Sequence, residues 1–499
     1  MLAAAAAVLL LSGAPARAAA RAPKTLTVCD DVRDPLTLDP QKEFSEKNHT
    51  IVQQVFEGLV RLGPDGKIQP ALATSWRRLD PLTVRFRLRR GVRFQDGETF
   101  DAESVRYSIA RYLDPKTGFP ARGFLAPIER AVVVDSRTVD VVTSVPDGLL
   151  LNRLAGFVVM VPPRRYATTP ESVLAAAPVG TGPFRFVRWD RGRDIVLERN
   201  PGYWGRGLPK LDRLVFAFLP ARRQVDALLS GRVDLLTSLP GTRTLEVQRS
   251  TQAFVIKRPT FYTVAANFDA SRPPLSDERV REALNLAVDR QALVRYDLLG
   301  NGVPIATLSL PGEPGHDAAL RPYPYDPARA RRLLAEAGYP EGFALKVLLK
   351  RNAERTGRIL AAQLARVGVR LEPVLTSDAE LFTRLQDRGF WGLAVYDCPD
   401  PMADAFFIRS IFLSGKSPFS LAPDAGYDAR ETEMTRTLDD GRRRALSEAL
   451  DDYVHDRYLA LPTYQRVRTY GVRRGVEFTP AVTGMPYFSG ADVHEPAAR

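Results

Sequence analysis

A carboxylate that closes an apolar run is the group in this sequence best placed to do chemistry. Trp391-Gly392-Leu393-Ala394-Val395-Tyr396 reads as a buried strand, and Asp397 follows it, leading into Cys398-Pro399-Asp400-Pro401. In open α/β sheets ligands bind outside the carboxyl ends of the strands, so Asp397 stands where a side chain would face a cleft. A carboxylate there suits a cationic partner such as an ammonium, held by a charge-assisted hydrogen bond. It also suits a plainer role, the Asp that starts a turn before a Pro-rich loop, and topology alone leaves both open. Aromatic residues crowd the predicted strand ends: Phe261, Tyr262, Trp391, Tyr396, Phe406 and Phe407. Aromatic walls are common in ligand clefts, although at strand spacing each of these residues is by default part of a core. The candidate ligand-binding set is Asp397 with Tyr262, Asn267, Trp391, Tyr396 and Cys398.

Covalent chemistry finds little support. The sequence holds no G-x-x-x-x-G-K-[ST] loop, no H-E-x-x-H, no G-x-S-x-G elbow and no S-x-x-K. Gly180-Thr181-Gly182 begins like a dinucleotide loop, but Pro183 and a strand follow it, which is the wrong context. The histidines, His49, His316, His455 and His494, are isolated and lack ligand spacing. No catalytic residue, no metal site and no cofactor are therefore expected.

The elements that would position Asp397 lie in the second half of the chain. Asp326 caps a helix, Pro327 fits its first position, Leu333, Leu334 and Ala337 form its apolar stripe, and Gly338 with Pro340 ends it. Strands are then expected over 343–349, 369–375 and 391–396, with helices over 354–367 and 378–387 between them. This β-α-β-α-β alternation with nearly all-apolar strands predicts a parallel sheet covered on both faces. Just before it, 277–298 reads as one long amphipathic helix. The first half is richer in β-structure. A strand is expected over 24–30 and a helix over 50–62. Strictly alternating 83–88, a helix from Asp101 to about Leu113, and a hairpin of 131–134 with 138–142 make 62–178 a small α+β unit. A second hairpin (184–189 with 195–198), strands over 214–218 and 233–236, a helix over 222–229, and two strands over 253–257 and 261–268 complete it.

The first eleven residues are apolar and too few to span a bilayer, and Ala16-Arg17-Ala18 and Ala18-Ala19-Ala20 offer cleavage sites. This predicts a secretory signal peptide over 1–20, despite the lack of a basic residue before the apolar run, and a soluble exported chain. Cys29 is preceded by Thr27-Val28 and sits in a strand-like run, which argues against a lipid anchor. The net charge is +12, mostly from Arg, but the basic residues are scattered and interleaved with acids, as in Arg279, Arg281, Glu282, Asp289 and Arg290. A nucleic-acid surface would cluster them, so none is expected.

Six segments in order along the chain resemble one family, the solute-binding proteins of ABC importers in the class that holds dipeptide-, oligopeptide- and nickel-binding members. They are LTLDPQ with VFEGLVRLGPDGKIQPALATSW, VRFRLRRGVRFQDGETFDAESVRYSIARYLDP, PVGTGPFRFVRW with VLERNPGYWG, PLSDERVREALNLAVDRQALV, YDPARARRLLAEAGYPEGF, and YDCPDP. The resemblance implies an α/β fold of two lobes with mixed sheets, closing on a solute like a flytrap, and an extra small domain near the N-terminus. Lobe I would be discontinuous, 24–61, 179–265 and 476–499; the small domain would be 62–178 and lobe II 266–475. It also implies a periplasmic monomer that carries a small-molecule or short-peptide solute to ABC permease subunits and touches the membrane complex only peripherally. In peptide-binding members an Asp in an A-D-Y-P-D-P-like loop grips the peptide's ammonium, and Asp397 matches it. Around it the chain departs: Tyr396 replaces a small residue, Cys398 an aromatic one, and Ala394 the usual Trp. No His matches the nickel members, so metal transport is not expected. Cys29 and Cys398 allow one disulfide or two free thiols, and a bridge between lobes would hinder their movement. The alternatives are an exported hydrolase with an unconventional carboxylate site, and a two-lobed extracytoplasmic sensor or chaperone.

Overall fold

The computed structural model describes residues 23–29, 34–386 and 392–494. The expected signal peptide and Trp391 lie outside the described residues. Eleven strands form one sheet: β1 Thr25–Cys29, β2 Phe184–Asp190, β3 Asp194–Arg199, β4 Arg213–Ala217, β5 Leu235–Leu236, β6 Ala253–Phe268, β7 Gly302–Pro304, β8 Phe343–Lys350, β9 Val369–Thr376, β10 Leu393–Pro399 and β11 Ala460–Arg473. Their order is β9-β8-β10-β6-β11-β5-β1-β4-β3-β2, with β7 beside β11. Two halves with separate cores are thereby joined by two long antiparallel strands, β6 and β11, which pair from Ala253↔Arg473 to Asn267↔Ala460. This is the two-lobed α/β architecture that the resemblance implies. The two strands read from the sequence over 253–257 and 261–268 are one. Pro259 cannot donate to the ladder, and the register shifts between Pro259 and Thr263, but pairing with β11 resumes beyond it.

The expected parallel unit is present. β8 pairs in parallel with β9 and with β10. Its alternate faces are covered as two-sided burial requires. Leu349 and Val395 pack with Leu360 and Leu364 of helix Glu354–Ala365, whereas Leu348 and Ala394 pack with Leu381 and Leu385 on the other side. Fully burying such an aliphatic side chain contributes about 1.5–3 kcal/mol. Gly392, at positive φ, turns the chain into β10, and a Cβ there would lie 2.8 Å from the Lys346 carbonyl oxygen.

Two helices differ from the sequence reading. The stretch 277–298 is two helices, Glu278–Leu286 and Arg290–Asp297, because Asp289 leaves the helix to cap the second one, accepting from the Ala292 N–H at 2.9 Å. The helix expected over 50–62 lies instead at Glu46–Val52, capped by Ser45, and 60–62 is a short strand. Val55, Phe56 and Leu59 are buried as their periodicity suggests, but in turns that pack into the core. The hairpin expected over 131–142 belongs to an antiparallel four-stranded sheet, Ala73–Asp80, Thr83–Leu88, Thr138–Thr143 and Ile128–Asp135 in spatial order. Helix Ala102–Leu113, opened by a capping box of Asp101 and Ser104, packs on it.

Behind the loop that leaves β10, helix Phe406–Leu413 is pinned by a fully buried ion pair. The Arg409 guanidinium donates to Asp451 Oδ1 at 2.6 Å and to the Ser447 carbonyl at 2.8 Å, and Asp451 also accepts from Ser309 and the Asp317 N–H. Removing one partner strands the other charge without water. Asp451→Ala is therefore expected to lower the unfolding free energy by about 3–5 kcal/mol in urea titration, and a loss under 1 kcal/mol would contradict this.

Candidate functional site

β10 sets the site by its register. Asp397 lies opposite Val264 of β6, so Tyr262, two residues along, is its diagonal neighbour on the same face of the sheet. The Tyr262 hydroxyl donates to Asp397 Oδ2 at 2.8 Å. Lys350, the last residue of β8, donates to Asp397 Oδ1 at 2.9 Å. Arg466 of β11 lays its guanidinium 4.5 Å from the Tyr262 ring centre and 3.9 Å from Asp397 Oδ2. Asp397 keeps 9% of its surface exposed. Burial by itself would raise its pKa, but Lys350 and Arg466, with the hydrogen bonds from Lys350 and Tyr262, hold it below the usual carboxylate range. One strand turn further along β11, Arg468 forms an ion pair with Glu46 and donates to the Gly484 carbonyl at 3.1 Å. The cluster thus draws on β8 and β10 of one half, on helix Glu46–Val52 of the other, and on β6 and β11, which join the two.

The remaining candidates lie elsewhere. Tyr396 and Cys398 alternate with Asp397 and so occupy the opposite face of β10. The Tyr396 ring stacks on Phe412 with centroids 3.4 Å apart, and its hydroxyl donates to Asn267 Oδ1 at 3.3 Å. Asn267 in turn donates to the Phe412 carbonyl at 3.1 Å. Together they form a satisfied polar link inside a core. Cys398 and Cys29 are not joined in a disulfide. Burial pushes the Cys398 thiol up to about 12, so at neutral pH it is protonated and a poor nucleophile. Sequence reasoning paired Asp397 with Tyr262 but missed Lys350, Arg466, Arg468 and Glu46. Lys350 was findable, since it ends a strand adjacent to β10 and obeys the same strand-end rule. The alternation Arg466-Val467-Arg468 was the one signal for the other two cations.

The second carboxylate of the motif plays a different part. Asp400 is buried and accepts from the N–H groups of Met402 and Asp404 at 2.7 and 2.8 Å, which folds the Pro-rich loop onto itself. Glu313, buried beside it, accepts from the Leu310 N–H at 2.7 Å. Burial raises both, Asp400 to about 7, and they titrate as a pair.

Two cavities border the seam between the halves. One of about 310 Å³ is bounded by Ser238–Thr242 on one side, by Asp297–Asn301 and Arg355 on the other, and by Arg466–Thr469 of β11. The other, of about 330 Å³, is lined by His49, Glu57, Arg61 and Tyr487. Glu57 is consumed there by the Thr181 and Tyr203 hydroxyls and the Trp204 indole N–H, and burial raises its pKa.

A profile of the bacterial extracellular solute-binding proteins, family 5, matches residues 67–418. The chain belongs to that family. Among curated family 5 relatives, the glutathione-binding protein GsiB of Pectobacterium atrosepticum is 29% identical over 359 residues, 71% of this chain and 70% of that one. The Salmonella choleraesuis GsiB is 30% identical over 67% of this chain and 66% of its own length. Among solved structures, AgaA of A. tumefaciens R10 in complex with agropinic acid is 26% identical, with a TM-score of 0.82 over 95% of this chain and 99% of that one. NikA of Brucella suis in complex with Fe(III)-EDTA gives 0.84 at 23% identity, over 94% and 100%. No described helix is long and apolar enough to cross a membrane.

The Asp400 shift carries a sign that can be checked. Its folded pKa lies above the unfolded value near 3.8, so the folded chain holds the proton more tightly. The stability this contributes is complete below about pH 4 and is lost as pH rises through about 7. Asp400→Asn should flatten the fall in unfolding free energy across that window in denaturant titrations at stepped pH. Parallel curves for the two chains would refute the assignment.

Proposed function

We propose that this family 5 protein is the capture component of an ABC importer, taking a peptide-like or other amine-bearing small solute between its two lobes. It works outside the cytoplasm, as a periplasmic monomer after removal of residues 1–20, and hands the solute unchanged to the permease. The lobes are divided as the sequence suggests, with 62–178 as an added domain. The observation that carries the reading is the buried Asp397, held ionised at the seam where the two long strands join the halves. An entering ammonium would take the place of Lys350 on Asp397 Oδ1 and keep the Tyr262 hydroxyl on Oδ2. Lobe closure then excludes water, and charge-assisted hydrogen bonds strengthen as the surroundings lose their polarity. The relatives support a solute of this kind, because glutathione is a peptide with a free ammonium. Tyr396, Cys398 and Asn267 would act through the core that backs β10, by fixing its position.

The test is titration of the purified mature chain with a library of peptides and amines, followed by tryptophan fluorescence and calorimetry. At least one member should bind, and Asp397→Ala should weaken it by about 1.5–3 kcal/mol. Affinity that is indifferent to Asp397 would remove that residue from the site, and mass spectrometry showing cleavage of the solute would replace binding by hydrolysis.

A further inference from the structure

Two carboxyl groups lie side by side in the interior, and among the described residues neither pairs with a cation. Asp400 is fully buried and Glu313 is 5% exposed. Both Asp400 oxygens already accept backbone N–H groups, those of Met402 and Asp404. Glu313 Oε2 accepts from the Leu310 N–H, whereas Oε1 is buried and, among the described residues, has no donor. The group within hydrogen-bonding reach of Glu313 is the Asp400 carboxyl itself. Two buried carboxylates in contact repel strongly, and neither can give the other a hydrogen bond. A proton held between them removes the repulsion and satisfies the orphaned oxygen. Burial and mutual repulsion accordingly raise both carboxyls.

The loop that carries Asp400 is a meeting point of distant segments. Asn152, on helix Leu150–Phe157, donates to the Met402 carbonyl at 2.9 Å. A Cβ at Gly156 of the same helix would lie 2.7 Å from the Pro401 carbonyl oxygen, so helix and loop are in direct contact. The tip of the hairpin Val60–Leu62 with Ile68–Pro70 reaches the same loop, and a Cβ at Gly66 would lie 3.3 Å from the Ala403 Cβ. Ala403 itself stands at φ +51°, a left-handed conformation that is unfavourable for a residue with a side chain. It persists only while its neighbours impose it. The Asp400 carboxyl does so, accepting from N–H groups on both sides of Ala403. The Glu313 segment is tied in as well, since the Ala405 N–H donates to the Pro314 carbonyl at 3.3 Å. The other ionisable groups here have roles of their own. Asp404 is faced by Arg409, Arg443 and Arg153 from three helices, and burial keeps the Cys398 thiol neutral. His316 is held below its usual value by burial and bonded to Ser309, and Asp65 and Lys67 at the hairpin tip pair with each other.

We propose that Glu313 and Asp400 share a proton, and that this proton fastens a strap: it keeps loop 400–405 in the shape that helix Leu150–Phe157 and the Gly66 hairpin tip clasp. Rising pH withdraws the proton, the two charges push apart, and the grip of these N-terminal elements on the loop loosens. The sign follows from linkage. A loop that has opened exposes its carboxyls to water, where they lose protons near pH 4, about as free side chains do. Each proton held only by the closed loop therefore makes opening about tenfold easier per pH unit between about pH 5 and 7. The strap acts without a bound solute, so it stands apart from the reading of the cleft.

The experiment is hydrogen–deuterium exchange of the purified mature chain at stepped pH from about 5 to 7, read by mass spectrometry and divided by the intrinsic amide rate at each pH. Exchange over 400–405, 150–157 and 63–67 should rise together, about tenfold or more per pH unit. Glu313→Gln should lose most of that rise, because its amide donates to Asp400 without titrating. Asp400→Asn should do the same from the other side, and it serves as the second variant if the first does not fold. Flat exchange in the wild-type chain, or a rise that survives in both variants, would overturn the shared proton. A rise confined to 400–405, with 150–157 and 63–67 unchanged, would overturn the strap.

Discussion

The pairing of β6 with β11 is the constraint on which the rest depends. Two strands of 16 and 14 residues run side by side through both halves of the molecule. One end of the ladder lies against β5 and β1, and the other against β10 and β8. Backbone hydrogen bonds must be satisfied wherever the chain is buried, so the halves share one sheet and cannot be placed independently. The shift at Pro259–Thr263 interrupts this ladder near its middle. Tyr262 and Arg466 sit next to that interruption, where side chains leave the sheet to reach the seam.

From this follows the electrostatics. A carboxylate at 9% exposure is unfavourable unless compensated, and Asp397 is compensated from three strands at once. The compensation is unequal, because a cation that ends β8 fits the carboxylate closely while a cation on β11 does not. The Arg409–Asp451 pair, completely buried and hydrogen-bonded at 2.6 Å, is a closer match of charges in the same chain.

The motif Tyr396-Asp397-Cys398-Pro399-Asp400 separates its labour by strand alternation. Odd and even positions face opposite sides, so Asp397 meets Tyr262 and the cations while Tyr396 and Cys398 enter the core against Phe412 and its neighbours. Asp400 lies beyond the strand and folds the loop through backbone N–H groups. Side chains adjacent in the sequence thus serve an ion cluster, the core and the loop.

Local physics made much of this legible without coordinates. Capping at Asp326 and Asp101, alternation over 83–88 and the apolar runs at 343–349 and 369–375 are short-range signals, and the structure has those elements. Periodicity misplaced the helix near 50–62, since buried turns repeat apolar residues as a helix does. It also fused two helices at Asp289, where a cap was weighed as an ordinary helical residue. The sequence by itself determined that Asp397 lies near the end of a buried strand. Only the tertiary structure decided that Lys350 would pair with it, that Tyr396 would turn inward, and that Arg466 would lie over the Tyr262 ring. Those outcomes depend on register between strands tens to hundreds of residues apart, and a one-residue slip in any pairing would exchange the faces.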